Sequence, residues 1–255
     1  MVAIQKSRNG YGSFGNLSKS YNEARRGFPS TVFEYFKEGT PIKNSSIADL
    51  GCGTGISTRQ LASEGAIVIG VDRDPKMIEV AQDTPYQKVS YVCTPTEKLP
   101  FDDERFDIAT AFSSFHWFAN KKALLEIRRV LKPKGTIFVV NKNDVGDFRK
   151  NYRAILKKFI MHDLPDTKKD YKPVDLLRDY FESVEEKVFL TKELFSLFEA
   201  LTYLKSVSIW NLVPENQKKE ALKELEKFCK NRMTSEKLVE RKLEIVTVLG
   251  RKGRV

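Results

Sequence analysis

Three glycines and one aspartate carry the clearest chemical signal in the sequence. Gly51, Gly53 and Gly55 follow an apolar run, and Asp72 lies 21 positions after Gly51, at the end of a second apolar run. Glycines at such a point permit a tight turn and the close approach of a ligand, because a Cβ would collide with it. A carboxylate at the end of the next strand can accept hydrogen bonds from both hydroxyls of a ribose. The pattern therefore predicts a nucleoside site.

The spacing of the glycines indicates which nucleoside ligand to expect. A dinucleotide fingerprint has its third glycine where Ile56 stands, whereas here the glycine comes one residue earlier. The stretch Asp49-Leu50-Gly51-Cys52-Gly53-Thr54-Gly55 resembles the first motif of the Rossmann-like S-adenosylmethionine-dependent methyltransferases. The resemblance implies S-adenosylmethionine as the cofactor. NAD binding and a glycine turn without a ligand are the two alternatives.

Segments further along the chain extend this resemblance to about residues 11–145. Leu99-Pro100-Phe101, Phe106-Asp107 and the stretch 128–135 are similar to small-molecule methyltransferases whose domain is shared with ubiquinone and menaquinone C-methylation enzymes. Residues 21–29 are similar to the N-terminal arm of that family, with Asn22 and Arg26 in place of its usual acidic residue and proline. The pair His116-Trp117 resembles the His-Trp pair of trans-aconitate methyltransferase-like members.

Residue roles toward the cofactor follow from the resemblance and from position. Asp49 is expected to hold the amino group of the cofactor, Arg25 its carboxylate and Asp72 its ribose. Met77 is expected either to cover one face of the adenine or to pack in the core. The full predicted cofactor set is Tyr21, Arg25, Asp49, Gly51, Gly53, Gly55, Asp72, Arg73, Met77, Thr96, Glu97 and Ser113.

Residues toward an acceptor are expected after the fourth strand, where parallel sheets place their ligands. Ser114 and Trp117 are predicted to contact the acceptor, and His116 to orient it or to take up its proton. Trp210, in an aromatic-rich stretch of the second half, is predicted to line the acceptor pocket from above. For the two tryptophans, core packing is the competing interpretation. No metal site is expected, because three distant cysteines and two histidines do not form a ligand set.

The elements that position these residues alternate between strands and helices. Apolar runs at 66–71, 89–93, 106–112 and 136–140 predict strands, and amphipathic patterns at 56–63 and 120–131 predict helices. This order predicts an α/β fold with a doubly wound, mostly parallel seven-stranded sheet, an antiparallel last strand and helices on both faces. We expect an N-terminal helical arm over the cofactor at 1–43, a cofactor-binding core at 44–190, a helical cap at 191–235, and the last strand and tail at 236–255.

Composition favours an enzyme of the cytoplasm. The 255 residues are 41% hydrophobic, and neither a signal peptide nor a membrane span is expected. The net charge of +10 is concentrated outside the core, and residues 251–254 are too few to form a nucleic-acid arm. The expected partners are a small acceptor, carboxylate or otherwise anionic, and at most a second copy of the chain. Three functions stay open: a small-molecule methyltransferase, an RNA or protein methyltransferase, and a cofactor-binding protein without catalytic activity.

Overall fold

The computed structural model describes residues 25–161 and 172–253. These residues form two compact units. The first, which we call the core unit, contains residues 26–142, 172–189 and 245–253. The second unit contains Arg25 and residues 143–161 and 190–244. Tyr21 lies outside the described residues.

The elements alternate as expected from the sequence. The helices are α1 Ser30–Gly39, α2 Ile56–Ser63, α3 Pro75–Gln82, α4 Lys121–Val130, α5 Phe148–Lys157, α6 Pro173–Arg178, α7 Leu197–Lys205 and α8 Lys218–Lys230, and 3-10 turns cover Phe115–Trp117, Ser208–Leu212 and Glu215–Gln217. The strands are β1 Ser46–Leu50, β2 Ile67–Asp72, β3 Val89–Cys93, β4 Phe106–Phe112, β5 Leu131–Asp144, β6 Glu182–Phe195 and β7 Val239–Arg251.

The seven strands form one sheet in the order β3-β2-β1-β4-β5-β7-β6. The pairs formed by β1 with β2 and β4, by β2 with β3 and by β4 with β5 are parallel, and the last strand is antiparallel. The chain moves outward from β1 to β3 and then returns to place β4 on the other side of β1. This reversal makes the carboxyl ends of β1 and β4 the switch point of the sheet. The predicted doubly wound, mostly parallel seven-stranded sheet is thus confirmed.

Alternation of side chains along the central strands explains why both faces of the sheet are covered. Ile47 and Ile108 lie in one buried cluster with Phe33 and Phe36 of α1, whereas their neighbours in sequence, such as Ala48, lie in a different cluster. The latter cluster includes apolar residues of α4 and α6. Because successive side chains of a strand point to opposite faces, each strand contributes to both clusters. The central strands therefore read as nearly continuous apolar runs.

The fifth strand begins earlier than the sequence predicted. The segment Lys132-Pro133-Lys134-Gly135 was expected to separate helix from strand, but β5 starts at Leu131 and contains these residues. Phe106 pairs with Leu131 and Ile108 with Thr136, so the extra residues form a bulge in which Lys134 has a φ of 63°. A proline fits here because a bulge needs no ladder hydrogen bond from it.

The second unit has its own apolar core and a buried ionic cluster. Helices α5, α7 and α8 pack around Phe148, Tyr203 and Trp210, each of which is buried. Arg241, only 4% exposed, donates two hydrogen bonds to Asp144, at 2.6 and 3.0 Å, and one to a second carboxylate, that of Glu193, at 3.0 Å. The predicted cap, residues 191–235, falls within the range 190–244 of this unit. The domain boundaries given above stay predictions.

Candidate active site

The carboxyl ends of β1, β2 and β4 meet at one edge of the sheet. Leu50 pairs with Val71, and Asp49 pairs with Thr110, so the segments that follow the three strands are neighbours. The hydroxyl of Ser114 donates to the carbonyl of Leu50 at 2.6 Å and thereby joins the ends of β4 and β1. The glycine turn, the end of β2 and the segment after β4 are thus brought together, as the sequence predicted.

The three glycines of the turn lack side chains for different reasons. All have positive φ angles, 65° at Gly51, 55° at Gly53 and 78° at Gly55. A Cβ on Gly51 would lie 2.5 Å from the Cβ of Ser114, and one on Gly55 would lie 2.2 Å from the hydroxyl of Tyr91. On Gly53 a Cβ would have no atom of residues 25–161 or 172–253 within 4 Å. Of the room for a ligand expected above all three glycines, the described residues leave that at Gly53 open, because protein side chains fill the space at Gly51 and Gly55.

Asp72 fixes the turn and faces the same edge. Its Oδ2 accepts a hydrogen bond from the backbone N–H of Gly53 at 2.9 Å, and its Oδ1 accepts one from the N–H of Asp74, also at 2.9 Å. Burial raises the pKa of the Asp72 carboxyl above its ordinary value, although these backbone donors act in the opposite direction. Each carboxylate oxygen has further lone pairs, so Asp72 can accept hydrogen bonds from a ligand while it holds Gly53.

Asp49, the next-to-last residue of β1, is enclosed by protein. It is fully buried, and its carboxylate accepts hydrogen bonds from Ser57 at 2.8 Å, Thr58 at 2.7 Å and Thr110 at 2.8 Å. Burial raises the pKa of this carboxyl, and the three hydroxyl groups oppose the rise. Because three protein donors surround it, its first structural role is to tie α2 and β4 to the end of β1.

Of the predicted cofactor residues, Met77 lies on α3, Arg73 lies between β2 and α3, and Thr96 and Glu97 lie in the loop after β3. Met77 and Thr96 are buried, at 4% and 5% exposure, while Arg73 is exposed. Glu97 accepts a hydrogen bond at 2.9 Å from the side chain of Asn120. The carbonyl oxygen of the same Asn120 side chain accepts from Ala123 N–H at 3.1 Å and so caps α4. Sequence reasoning missed Asn120, although an asparagine directly before an amphipathic helix is the usual signal of a cap.

The segment after β4 carries a strained residue and two aromatic rings. Ser113 has a φ of 53°, a conformation that is uncommon for residues with a side chain and that costs free energy. It is followed by buried Ser114 and by a 3-10 turn that contains His116 and Trp117, whose ring centroids are 4.6 Å apart. Trp117 is 45% exposed, so the structure does not place it in the core. His116 and Trp117 lie two and three positions beyond the Ser114 bridge to β1.

Arg25 and Trp210 belong to the second unit. The Arg25 guanidinium lies 4.7 Å from the ring centroid of Tyr203, and the Arg241 guanidinium lies 4.4 Å from the same centroid. Trp210 is 7% exposed and packs in the apolar core of that unit. Its predicted contact with an acceptor and the predicted contact of Arg25 with the cofactor stay predictions. In residues 25–161 and 172–253 no group of three His, Cys, Asp or Glu side chains is arranged to hold a metal ion.

The part of the chain that contains this edge matches a known protein family. Residues 48–139, from β1 to β5, match the family described as methyltransferase domain. The chain carries a methyltransferase domain. An uncharacterized methyltransferase of Schizosaccharomyces pombe is 28% identical over 82% of this chain and 84% of its own length. The ubiquinone biosynthesis O-methyltransferase of Coxiella burnetii is 29% identical over 54% of this chain and 60% of its own length.

The fold of this methyltransferase also occurs in solved structures. One of them is a phosphoethanolamine N-methyltransferase of Haemonchus contortus, in complex with phosphomonomethylethanolamine and S-adenosylhomocysteine. Its fold matches this chain with a TM-score of 0.57 and 15% sequence identity, and the match covers 100% of this chain and 61% of that one. The domain match and these relatives support a methyltransferase enzyme. None of the helices within the described ranges has the length and apolar character needed to cross a bilayer.

Proposed function

We propose that this methyltransferase binds S-adenosylmethionine at the glycine turn and transfers its methyl group to a small molecule. The observation that carries the proposal is the space above Gly53, which no described residue fills, together with the hydrogen bond at 2.9 Å from the Gly53 N–H to the Asp72 carboxylate. A turn with bare backbone beside a carboxylate, at the carboxyl ends of parallel strands, has the donors and acceptors that a nucleoside needs.

The residues at this edge fit an adenosyl cofactor. Asp72 would accept hydrogen bonds from the ribose hydroxyls, and Gly53 would leave the backbone accessible to the methionine portion. Glu97, oriented by Asn120, would meet the adenine side together with Thr96 and Met77. When bound, the cofactor supplies a methyl group that its sulfonium has already activated for displacement.

The protein's own part in such a reaction is to align the acceptor and to exclude water. Ser114 fixes the segment that carries His116 and Trp117 by its bond to Leu50, so these two rings have a defined position beside the switch point. Trp117 offers an exposed apolar face to an acceptor. His116 would orient the acceptor or receive its proton when the acceptor is a phenol or a carbon acid.

A small anionic acceptor is the class that we place first, and a carboxylate is its simplest member. Carboxylates arrive deprotonated and need no strong base, which suits a site whose only proposed base is one histidine. The relatives support a small acceptor, since one is named for ubiquinone biosynthesis and another structure holds a small phosphorylated amine.

The test is methyl transfer from labelled S-adenosylmethionine to panels of small carboxylates, phenols and amines, with bulk tRNA and a protein extract as competing acceptors. We expect label in a small molecule, and a loss of most of that activity in Asp72→Asn, which keeps the size of the side chain. Label in tRNA that disappears at high salt would instead favour a nucleic-acid substrate. Tight cofactor binding without transfer to any panel would favour a non-catalytic protein.

A further inference from the structure

Within the core unit, residues 26–28 are held by two side chains that the proposed function does not use. The Gln60 side chain accepts a hydrogen bond from Phe28 N–H at 2.9 Å and donates one to the Phe28 carbonyl, also at 2.9 Å. Lys142 Nζ donates to the carbonyl oxygens of Gly27 at 2.7 Å and Arg26 at 3.2 Å. We call Gln60 and Lys142 the latch. All four of these hydrogen bonds are made to the backbone of residues 26–28.

The fit of the segment to the latch is tight. A Cβ on Gly27 would lie 2.4 Å from the Gln60 side-chain oxygen and 2.6 Å from its nitrogen. The half-buried Phe28 ring lies 4.8 Å from the Phe112 ring, and Lys142 Nζ lies 4.8 Å from the Phe28 ring centroid. Hydrogen bonds, an aromatic contact and a cation–π contact therefore act on the same three residues.

The position of these contacts places residues 26–28 at the ligand-binding edge of the sheet. Phe112 is the last residue of β4, and it pairs with Val140 of β5, two positions before Lys142. Residues 26–28 therefore lie at the carboxyl ends of β4 and β5, the edge at which parallel sheets bind ligands.

Each latch residue is also connected to the candidate site. Gln60 belongs to α2, and Gly55 of the glycine turn is the N-cap of that helix. The backbone N–H of Lys142 donates to the hydroxyl of Ser113 at 3.3 Å. The latch thus joins residues 26–28 to the helix that follows the glycine turn and to the segment after β4.

We propose that Gln60 and Lys142 are positioning residues that hold residues 26–28 across this edge and thereby slow the release of the cofactor. The inference rests on the proposed function, because the retained ligand is the cofactor. Neither side chain needs to touch the cofactor, and their effect is expected on its dissociation rate.

The first half of the test uses the protein without ligand. Trypsin cleaves after Arg25 and Arg26, next to the bound segment, so the rate of cleavage at these two bonds reports how often the segment is released. Gln60→Leu removes both hydrogen bonds to Phe28 without changing charge, and its matched control is Gln82→Leu at the exposed end of α3. Lys142→Met has the exposed Lys122→Met as its control. We expect cleavage at these bonds about tenfold faster in the two latch variants, as the loss of two hydrogen bonds implies, and unchanged in the controls.

The second half measures the dissociation rate of S-adenosylhomocysteine by stopped-flow displacement, on variants whose thermal unfolding shows that they fold. Faster release from both latch variants and from neither control supports the proposal. Unchanged cleavage, or faster cleavage with unchanged release, overturns it. Faster release from Lys142→Met alone also overturns it, because this would be an effect of charge. If the wild-type protein binds no S-adenosylhomocysteine, the proposed function fails, and the role of the latch in retaining the cofactor fails with it. If the wild-type protein binds this ligand and the latch variants release it at the wild-type rate, only the role of the latch is refuted.

Discussion

Substitution of Gly53 by alanine tests whether this residue lacks a side chain because a ligand needs the space or because the fold does. Gly53→Ala introduces a Cβ at a φ of 55° into a space where no atom of the described residues lies within 4 Å. Alanine in this left-handed region costs roughly 1–2 kcal/mol, and the lower entropy of the unfolded chain offsets about 0.4–1 kcal/mol of it. With no clash to add, we expect a net loss of about 1 kcal/mol, or a Tm lower by roughly 2–4 °C for a chain of this size.

Gly146 provides the matched control. It lies in the second unit and has a φ of 83°, and a Cβ there would also have no atom of the structurally described residues within 4 Å. Gly146→Ala should therefore lower stability by the same amount as Gly53→Ala. Gly51→Ala should cost about 1–3 kcal/mol more than either, because its Cβ would lie 2.5 Å from that of Ser114.

The two open glycines should differ only in ligand binding. The methyl group of Gly53→Ala occupies the space assigned to the cofactor, so we expect the Kd for S-adenosylhomocysteine to rise at least tenfold, about 1.4 kcal/mol. Gly146→Ala should bind as the wild type does. Calorimetric titration and thermal unfolding of the variants measure both quantities. Unchanged affinity in Gly53→Ala would refute the assignment of this space to a ligand, and equal losses of affinity in both variants would point to a general effect of stability.

Three further predictions concern charge and capping. Because burial raises the pKa of Asp72, cofactor affinity should fall on acidification at pH values already above the ordinary aspartate pKa of about 3.9. Titrations of Asp72→Asn with the cofactor at several pH values should show a weaker pH dependence. The native state takes up this proton before the unfolded chain does, so the contribution of Asp72 to stability decreases as pH rises through this range. Arg241→Met leaves two carboxylates without their buried partner and should lower the free energy of unfolding, measured with denaturant, by about 3–5 kcal/mol. Arg232→Met breaks a more exposed ion pair and should lower it by less than about 1 kcal/mol. Equal losses would contradict the assignment of the buried cluster. Asn120→Ala should lower the stability measured by thermal unfolding by about 0.5–2 kcal/mol, because the cap of α4 is lost. Asn120→Ser can still cap the helix and should restore most of this stability. If serine restores none of it, the hydrogen bond to Glu97 matters more than the cap.

Local signals allowed the centre of the fold to be predicted from the sequence. β3 and β4 have the predicted bounds, and α2 begins directly after the glycine turn as expected. These elements are short, and their apolar runs end at glycine, proline or polar residues, so the neighbouring residues are sufficient to define them. Asp72 likewise meets the turn because the register of two adjacent parallel strands brings their ends together.

The features that sequence reasoning missed depend on residues far apart in the chain. Gln60 binds a residue 32 positions away, Lys142 binds one 115 positions away, and Arg241 pairs with Asp144 across 97 positions. Periodicity carries no information about such pairs. The same holds for Gly55, whose side of the turn is filled by Tyr91 from β3, a residue that nothing in the glycine motif identifies.

The central claim is that the glycine turn and Asp72 bind an S-adenosyl ligand. Calorimetric titration of the wild-type protein with S-adenosylmethionine, S-adenosylhomocysteine and NAD, repeated with Asp72→Asn, tests it most directly. We predict micromolar binding of the two adenosyl ligands, no binding of NAD and a loss of adenosyl binding in the variant. Binding of NAD alone, or of none of the three, would contradict the claim.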